Sequence, residues 1–277
     1  MSHSASANDF LFVFACGARA GWCRCGFADS SAFDVGGGNR AALEDGEVEK
    51  FAQGALTYLR EVEVQCGVRI CRIAIDAPRA PRREDHPRRA AEVAMDALGI
   101  SCIGTPSGAE FTALLRRGIE HLLRGSPESR LPGANQLWMR AGFRLFEVLG
   151  AEFKCLEVFP QATAVTLGAA GVHKAMPHGL AAQLAAVCGE TGWRDDSGDP
   201  PLDDICFGSR DDKLDAYLSA WVASLSKEER IADGDPPHDA IWIPRLGERA
   251  TAAGVLHFSL DDLFAPAGLK CSDILGA

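Results

Sequence analysis

An apolar segment that ends in a carboxylate and is followed by a proline constrains the fold of this chain most strongly. Arg69–Asp76 (RICRIAID) carries isoleucines at 70, 73 and 75, a pattern typical of a half-buried strand. Pro78 lacks an N–H for a strand ladder and keeps Ala77 out of the helical region, so the chain must leave the sheet here. In open α/β sheets, ligands bind beyond the carboxyl ends of the strands. The sequence therefore puts Asp76 where a functional side chain is expected.

The length and composition are compatible with one elaborated domain. The chain has 277 residues and 47% hydrophobic content, enough to bury a substantial core. We predict one domain over residues 10–260 with a helical insertion around 88–150, a flexible N-terminus at 1–9 and a C-terminal tail at 261–277. No signal peptide pattern and no apolar run of roughly 20 residues is present. We therefore expect a cytoplasmic protein without a membrane partner, whose oligomeric state the sequence does not set.

The cysteines and the net charge exclude several classes of site. The 10 cysteines are scattered and include no Cys-x-x-Cys pair, so buried thiols are favoured over a zinc site or a disulfide framework. A formal charge of −10 disfavours an extended phosphate-binding surface but allows a local basic patch. Five arginines form such a patch on the sequence: Arg79, Arg82, Arg83, Arg88 and Arg89. We predict that this patch positions phosphates, so that nucleic acid is a candidate partner.

The order of the predicted elements indicates a mixed α/β sheet. In chain order they are a hairpin of Phe10–Cys16 and Trp22–Phe27, a strand near Ala32–Val35, a helix over Glu47–Cys66, the strand ending at Asp76, helices over Arg88–Leu98, Ala109–Leu123 and Asn135–Leu149, a strand over Phe153–Phe159, helices over His178–Cys188 and Asp211–Leu225, and short strands at Ala240–Ile243 and Val255–Phe258. An antiparallel hairpin followed by helix-linked parallel strands gives a mixed sheet flanked by helices, which is the ribonuclease H-like arrangement.

Acidic residues from distant parts of the chain meet at one edge of this predicted sheet. They are Asp76, Glu157, Asp211, Asp212 and Asp215. Carboxylates in one pocket repel each other unless a divalent cation neutralises them, and oxygen ligands suit Mg²⁺ or Mn²⁺. Two such ions can activate a water for phosphodiester hydrolysis. We therefore predict that the acidic residues form a metal site.

Structural roles compete with this interpretation. Asp211 and Asp212 also stand at a helix start, where capping and the helix dipole favour acidic residues. Glu157, between Leu156 and Val158, would equally serve as a solvent-facing strand residue. Asp76 would equally cap the turn that follows it.

Six short motifs, taken in order, resemble family 429 of the domains of unknown function, described as predicted ribonuclease H-like nucleases. They are Cys16–Trp22 (CGARAGW), Ile75–Pro78 (IDAP), Arg88–Glu92 (RRAAE), Gly104–Ser107 (GTPS), Glu157–Pro160 (EVFP) and Asp211–Ala216 (DDKLDA), spread over roughly residues 10–245. The resemblance implies a ribonuclease H-like fold with a metal site at Asp76, Glu157 and Asp215. It also makes Asp212 an accessory ligand candidate.

The chain departs from the family pattern at Cys16. The first motif of the family usually begins with Asp, and a thiol is a poor substitute for a carboxylate around Mg²⁺. Three explanations stay open: a degenerate site, a site with fewer or different ligands, or a thiol with its own role.

The functional hypothesis is a divalent-metal-dependent nucleic-acid phosphodiesterase with a degenerate first acidic position. Its catalytic and metal-binding residues would be Asp76, Glu157 and Asp215, with Asp212 as a further ligand. Arg19, Arg88 and Arg89 would contact phosphate. The alternative is a catalytically inactive module of the same fold that binds nucleic acid or a protein partner.

Overall fold

Helices and strands alternate along the chain. The computed structural model describes residues 9–15, 38–66, 69–169, 176–191 and 210–245. The strands are β1 (Asp9–Ala15), β2 (Arg69–Asp76), β3 (Cys155–Glu157), β4 (Arg230–Asp235) and β5 (Asp239–Pro244). The helices are α1 (Gly38–Ala41), α2 (Asp45–Cys66), α3 (Ala90–Ala97), α4 (Gly108–Leu123), α5 (Ala134–Leu137), α6 (Met139–Leu149), α7 (Pro160–Thr166), α8 (Pro177–Thr191) and α9 (Arg210–Ser224). The predicted segments Trp22–Phe27, Ala32–Val35 and Val255–Phe258 lie outside the described residues, as do residues 1–8 and the predicted tail at 261–277.

Among the residues that the structure describes, β2 is the central strand of a parallel sheet with the order β1-β2-β3. Its bounds are those predicted from the sequence. Ala15 at the end of β1 lies opposite Asp76, and Glu157 at the end of β3 lies opposite Ile75. The strand that leads to Cys16 therefore lies beside the strand that ends at Asp76, and β1 itself ends one residue before Cys16.

One face of the sheet packs against α2 and α6. Ile73, Ile75 and Cys155 point to this side and join a core that includes Phe51 of α2 and Leu145 of α6. Ile73 and Ile75 are completely buried, and each such side chain stabilises the fold by about 1.5–3 kcal/mol.

The opposite face packs against α9. Ala74, Leu156 and Val158 form a second cluster with Val222 and Ala223 of that helix. Successive residues of a strand point to opposite faces, so the two clusters fix which side each strand residue occupies. Helices therefore cover the sheet on both sides.

β4 and β5 pair antiparallel and, within the described ranges, form a sheet of their own. A parallel bridge between Val158 and Trp242 connects it to the end of β3. The sequence predicted a strand at Ala240–Ile243 but missed β4, whose residues Arg230–Asp235 (RIADGD) lack apolar alternation. Gly234 has φ +121° and lies so close to the backbone of α3 that a Cβ there would stand 2.8 Å from the nitrogen of Ala91.

The helices largely follow the sequence prediction. The predicted helix over Asn135–Leu149 is divided into α5 and α6, but Trp138 between them keeps helical dihedrals. α7 was missed because Pro160 was interpreted only as the end of a strand, whereas proline is also favoured in the first turn of a helix. Ser107 and Glu110 begin α4 with a capping box, in which Glu110 Oε2 accepts from Ser107 N at 2.9 Å.

α6 approaches the sheet most closely at Gly142. A Cβ at this position would overlap the Cβ of Ala77 and stand 3.3 Å from the carbonyl oxygen of Pro78. The absence of a side chain therefore lets α6 lie directly against the chain as it leaves β2.

The observed elements confirm the α/β class, and the predicted domain bounds stay predictions. Across the ranges that the structure describes, no helix combines the length and the apolar character that a bilayer span requires.

Candidate functional site

Helix α9 runs antiparallel to β2. Arg72, near the start of the strand, donates from Nη1 to the carbonyl oxygens of Ala223 at 2.6 Å and Leu225 at 3.3 Å, at the end of the helix. Farther along β2, Ala74 packs with Val222 and Ala223. The amino-terminal half of α9 therefore extends toward the carboxyl edge of the sheet.

This orientation brings Asp76 and Asp215 to the same end of the same face. Asp76 follows Ala74 by two positions, so it projects to the α9 side about 7 Å farther along the strand. Asp215 precedes Val222 by seven positions, so it shares that side of the helix and lies about 10 Å nearer the edge. Asp215 is buried and Asp76 is half-buried. Two of the predicted site residues thus lie on the same face, at the same edge of the sheet.

Asp211 and Asp212 occupy the first turn of α9. Asp212 is exposed, one turn before Asp215. Negative charge at this position is stabilised by the helix dipole, so the structural role left open by the sequence has a geometric basis.

Glu157 lies on the other side of the sheet. Its neighbours Leu156 and Val158 point toward α9, and its register partner Ile75 points toward α6, so Glu157 projects away from Asp76 and Asp215. The structure therefore does not bring Glu157 to the face shared by the two aspartates.

The Glu157 carboxylate forms a buried ion pair with Arg89. Arg89 donates from Nη1 to Oε1 at 2.8 Å and from Nη2 to Oε2 at 2.7 Å, and the backbone N–H of Arg79 donates to Oε2 at 2.8 Å. Arg89 is 5% exposed and Glu157 is 4% exposed. Such a fork-to-fork pair fixes both side chains in position.

Burial and pairing act in opposite directions on the two charges. Burial raises the pKa of Glu157, while the charge and hydrogen bonds of Arg89 oppose that rise. Burial alone would lower the pKa of Arg89, but Glu157 and Asp239 outweigh it, and the net direction is upward. A guanidinium remains charged throughout the accessible pH range, and an ionised Glu157 is its nearest counter-charge. We therefore describe the pair as ionised at neutral pH.

Asp239 completes this network and was not anticipated from the sequence. Its Oδ1 accepts from Arg89 Nε at 2.9 Å, and its Oδ2 accepts from the backbone N–H of Ala90 at 2.7 Å. Asp239 thus satisfies a backbone donor at the start of α3 from a distant strand, because Arg89 provides no side-chain cap there. The only sequence signal is an acidic residue directly before the strand Ala240–Ile243.

The predicted phosphate-binding arginines are engaged with groups of the chain itself. Arg88 contacts Glu92 at 3.3 Å and Asp96 at 2.8 Å, and Arg89 is buried as described. The other members of the arginine patch are also engaged: Arg79 stacks over Phe146, Arg82 pairs with Glu110, and Arg83 pairs with Asp85. The positive charge of the patch is therefore largely neutralised by other side chains of the protein. Arg19 and Cys16 lie outside the described residues.

The donor set suits a hard divalent cation but is small. Carboxylate oxygens are the ligands that Mg²⁺ and Mn²⁺ prefer, and Mg²⁺ is commonly held by one or two carboxylates together with waters and substrate phosphates. Within the described ranges, no three His, Cys, Asp or Glu side chains are grouped so that they could hold a metal ion. Asp76 and Asp215 both carry donor atoms of this kind.

Parallel strands linked by helices, with two aspartates at the carboxyl edge, define an α/β protein with a candidate acidic site. The family described as protein of unknown function (DUF429) matches residues 17–238, and the chain belongs to this family. The family expected from the six motifs is thereby confirmed. Comparison with curated proteins and with solved structures gave no significant match.

Proposed function

We propose that this chain is a divalent-metal-dependent nucleic-acid phosphodiesterase with a ribonuclease H-like fold. The observation that carries the proposal is the antiparallel packing of α9 on β2, with Asp215 and Asp76 at the carboxyl edge of one face. Ligand sites of open α/β sheets occur at this edge.

Asp76 and Asp215 would hold Mg²⁺ or Mn²⁺, with Asp212 one helical turn away as a further carboxylate. A bound ion supplies a polarised water and a counter-charge for the phosphate. Burial restricts Asp215 to a fixed position on α9, which favours a defined geometry for the ligands.

Glu157 and Arg89 have positioning roles in this proposal. Their pair ties the end of β3 to the start of α3, so it supports the sheet edge from the opposite face. The roles first predicted for them, metal ligand for Glu157 and phosphate contact for Arg89, stay predictions; they would require the two side chains to separate.

A binding module that does not cleave is the second candidate. Two observations favour it: Cys16 replaces the usual first-strand Asp, and Arg88 and Arg89 are held by carboxylates. Such a module would bind nucleic acid or a protein partner without requiring a metal ion.

Metal titration of the full-length protein separates these possibilities. We expect Asp76→Asn and Asp215→Asn each to weaken Mn²⁺ binding by at least about tenfold, because each removes a charged ligand. Asp235→Asn, at an exposed position on β4, is the matched control and should leave Mn²⁺ affinity unchanged. If Mn²⁺ binds equally well to all four proteins, the metal site is wrong.

A cleavage assay decides between enzyme and binder. Labelled single-stranded and structured oligonucleotides are incubated with Mn²⁺, Mg²⁺ or EDTA. Metal-dependent cleavage that is lost in both Asn variants supports the phosphodiesterase. Oligonucleotide binding that persists in EDTA, without cleavage, supports the binding module.

A further inference from the structure

Two arginines converge on the carboxyl end of α9. Arg72 Nη1 lies 2.6 Å from the Ala223 oxygen and 3.3 Å from the Leu225 oxygen. Arg230 Nη1 lies 3.1 Å and 2.9 Å from the same two oxygens. Two positive guanidinium groups therefore share one pair of acceptors, an arrangement that like-charge repulsion opposes.

Arg230 is buried with donor capacity to spare. It is 2% exposed, and its guanidinium stacks over the ring of Trp242 at 5.1 Å. Its Nε is shielded from solvent and has no hydrogen-bond partner among the residues that the structure describes. A buried donor without a partner is costly, so an acceptor from outside the chain that reached this nitrogen would stabilise the fold.

Two lysines extend this positive region to the surface. Lys154 directly precedes β3, and its carbonyl oxygen accepts from the N–H of Ile73 at 3.0 Å. Partial burial lowers the pKa of Lys154, and the charges of Arg230, Arg72 and Lys227 lower it further. Lys154 and Lys227 are exposed and form no ion pair with any residue in the described ranges. We call these four residues the basic cluster: Arg72, Lys154, Lys227 and Arg230.

Helix capping accounts for only part of the basic cluster. The carboxyl end of a helix carries roughly half a negative charge, which one arginine can satisfy. Four cations exceed this partial charge. The pKa of Arg230 is lowered to about 10, first by its burial and then by Arg72. The four cations thus exceed the partial charge of the helix end, and Glu228 offsets part of the excess.

We propose that the basic cluster binds an oxyanion of the phosphate class, either free phosphate or the terminal phosphate of a larger molecule. The arginines would donate forked hydrogen bonds to the anion from within, and the lysines would flank its entrance. The cluster lies at the amino-terminal edge of the sheet, away from Asp76. This second site is therefore independent of the proposed metal chemistry and requires no metal ion.

Anion titration of the full-length protein in EDTA tests the proposal. Thermal unfolding and calorimetry are carried out with inorganic phosphate, and with sodium chloride at equal ionic strength. The variant Lys154→Gln/Lys227→Gln removes two exposed charges that make no hydrogen bond to the helix, so it should fold. Its matched control is Lys50→Gln/Arg117→Gln, which removes two exposed charges from α2 and α4.

We expect phosphate to raise the unfolding temperature of the native protein beyond the effect of chloride. The Lys154→Gln/Lys227→Gln variant should bind phosphate about fivefold more weakly, while the control variant binds as the native protein does. Without phosphate and at low ionic strength, the cluster variant should be at least as stable as the native protein, because repulsion is relieved. Phosphate should thus favour the native protein, whereas the cluster variant should be at least as stable when phosphate is absent. A cluster that served only to cap the helix would not show this change in the order of stabilities.

Two results would overturn the proposal: no phosphate effect beyond that of chloride, or equal phosphate affinity in the native protein and the cluster variant. Oligonucleotides with a 5′-phosphate or a 5′-hydroxyl identify the source of the anion. Tighter binding of the phosphorylated form than of free phosphate indicates a nucleic-acid end, and equal binding indicates the free ion.

Discussion

Arg89 holds Glu157 through two parallel hydrogen bonds of 2.8 and 2.7 Å, across the space between α3 and β3. Both side chains are buried, so the ion pair is also a link between two elements that are 68 residues apart in sequence. Asp239 joins the same guanidinium from β5. One arginine thereby fixes a helix start, the end of a parallel strand and the start of an antiparallel strand.

Removing one partner of this ion pair should lower the free energy of unfolding strongly, whereas replacing both partners with apolar residues should not. Glu157→Gln leaves a buried guanidinium with Asp239 and Glu92 as counter-charges, and we expect a loss of about 3–5 kcal/mol in the free energy of unfolding. Arg89→Met/Glu157→Leu removes both charges. Its loss of unfolding free energy should be smaller than the sum of the losses in Arg89→Met and Glu157→Leu. Urea unfolding of a double-mutant cycle measures the difference. Simple additivity would contradict the coupling described here.

Gly234 and Gly189 should respond oppositely to alanine. Gly234→Ala places a Cβ against the backbone of Ala91 at φ +121°, so we expect a loss of about 1–3 kcal/mol. Gly189 is exposed in α8, and no atom lies within 4 Å of the position that a Cβ would take there, so Gly189→Ala should stabilise the protein by about 0.5–1 kcal/mol. Thermal unfolding compares the two. Equal changes in thermal stability for the two variants would show that the packing of the β4–β5 hairpin on α3 does not require a glycine at position 234.

The buried thiol of Cys155 and the half-buried thiol of Cys102 should resist alkylation at pH 8. Burial raises the pKa of Cys155 to about 12, and burial together with Glu92 raises the pKa of Cys102 to about 11. Because the thiolate is the reactive form, iodoacetamide should label both at least about 100-fold more slowly than in urea. Mass spectrometry of the peptides gives the labelled fraction. Equal rates in buffer and urea would contradict the burial of Cys155.

The same shifts predict a loss of stability in alkali. A thiol whose pKa is raised in the folded state contributes stability that is fully present below its unfolded pKa of 9.0. That contribution is lost as the pH rises through about 11 and 12. In Cys155→Ala, the unfolding free energy should decrease less steeply above about pH 9. If the slope is the same as in the native protein, other groups cause the decrease.

Cys16 provides the sharpest test of the proposed enzyme. If Cys16 replaces a metal-binding Asp, Cys16→Asp should strengthen Mn²⁺ binding by about tenfold, because it restores a hard, charged ligand. Cys16→Ser is the matched control, since it removes the thiol without adding charge. Metal-dependent cleavage by the native protein that survives Cys16→Ser would make the position dispensable. Metal-independent activity lost in Cys16→Ser would indicate thiol chemistry.

Local pattern was sufficient to predict β2 and its neighbours. The alternating isoleucines gave the bounds of β2, and the order of elements predicted the α/β class. Helices α2 and α9 were found from their apolar spacing, within two residues at each end. These elements have strong periodicity, which is the signal that sequence carries best.

The candidate site was predicted only in part, because a list of acidic residues does not specify faces. Asp76 and Asp215 lie on the same side of the sheet because α9 runs antiparallel to β2. Glu157 lies on the other side because successive strand residues alternate between the two faces of a sheet. Nor does the sequence indicate that Arg89 pairs with Glu157 or Asp239, since these contacts span 68 and 150 residues. β4 was missed because its stability derives from pairing with β5 and packing on α3 rather than from its own pattern.

The close approach at Gly142 makes a residue without a side chain a determinant of where the acidic site faces. α6 lies against Ala77 and Pro78, immediately after Asp76, and any larger residue would push the helix and this exit apart. Asp76 would then turn relative to α9 although no charged group had changed. In the proposed metal site, the position of Asp76 would therefore depend on steric clearance on the far side of the sheet, at a glycine that carries no ligand atom.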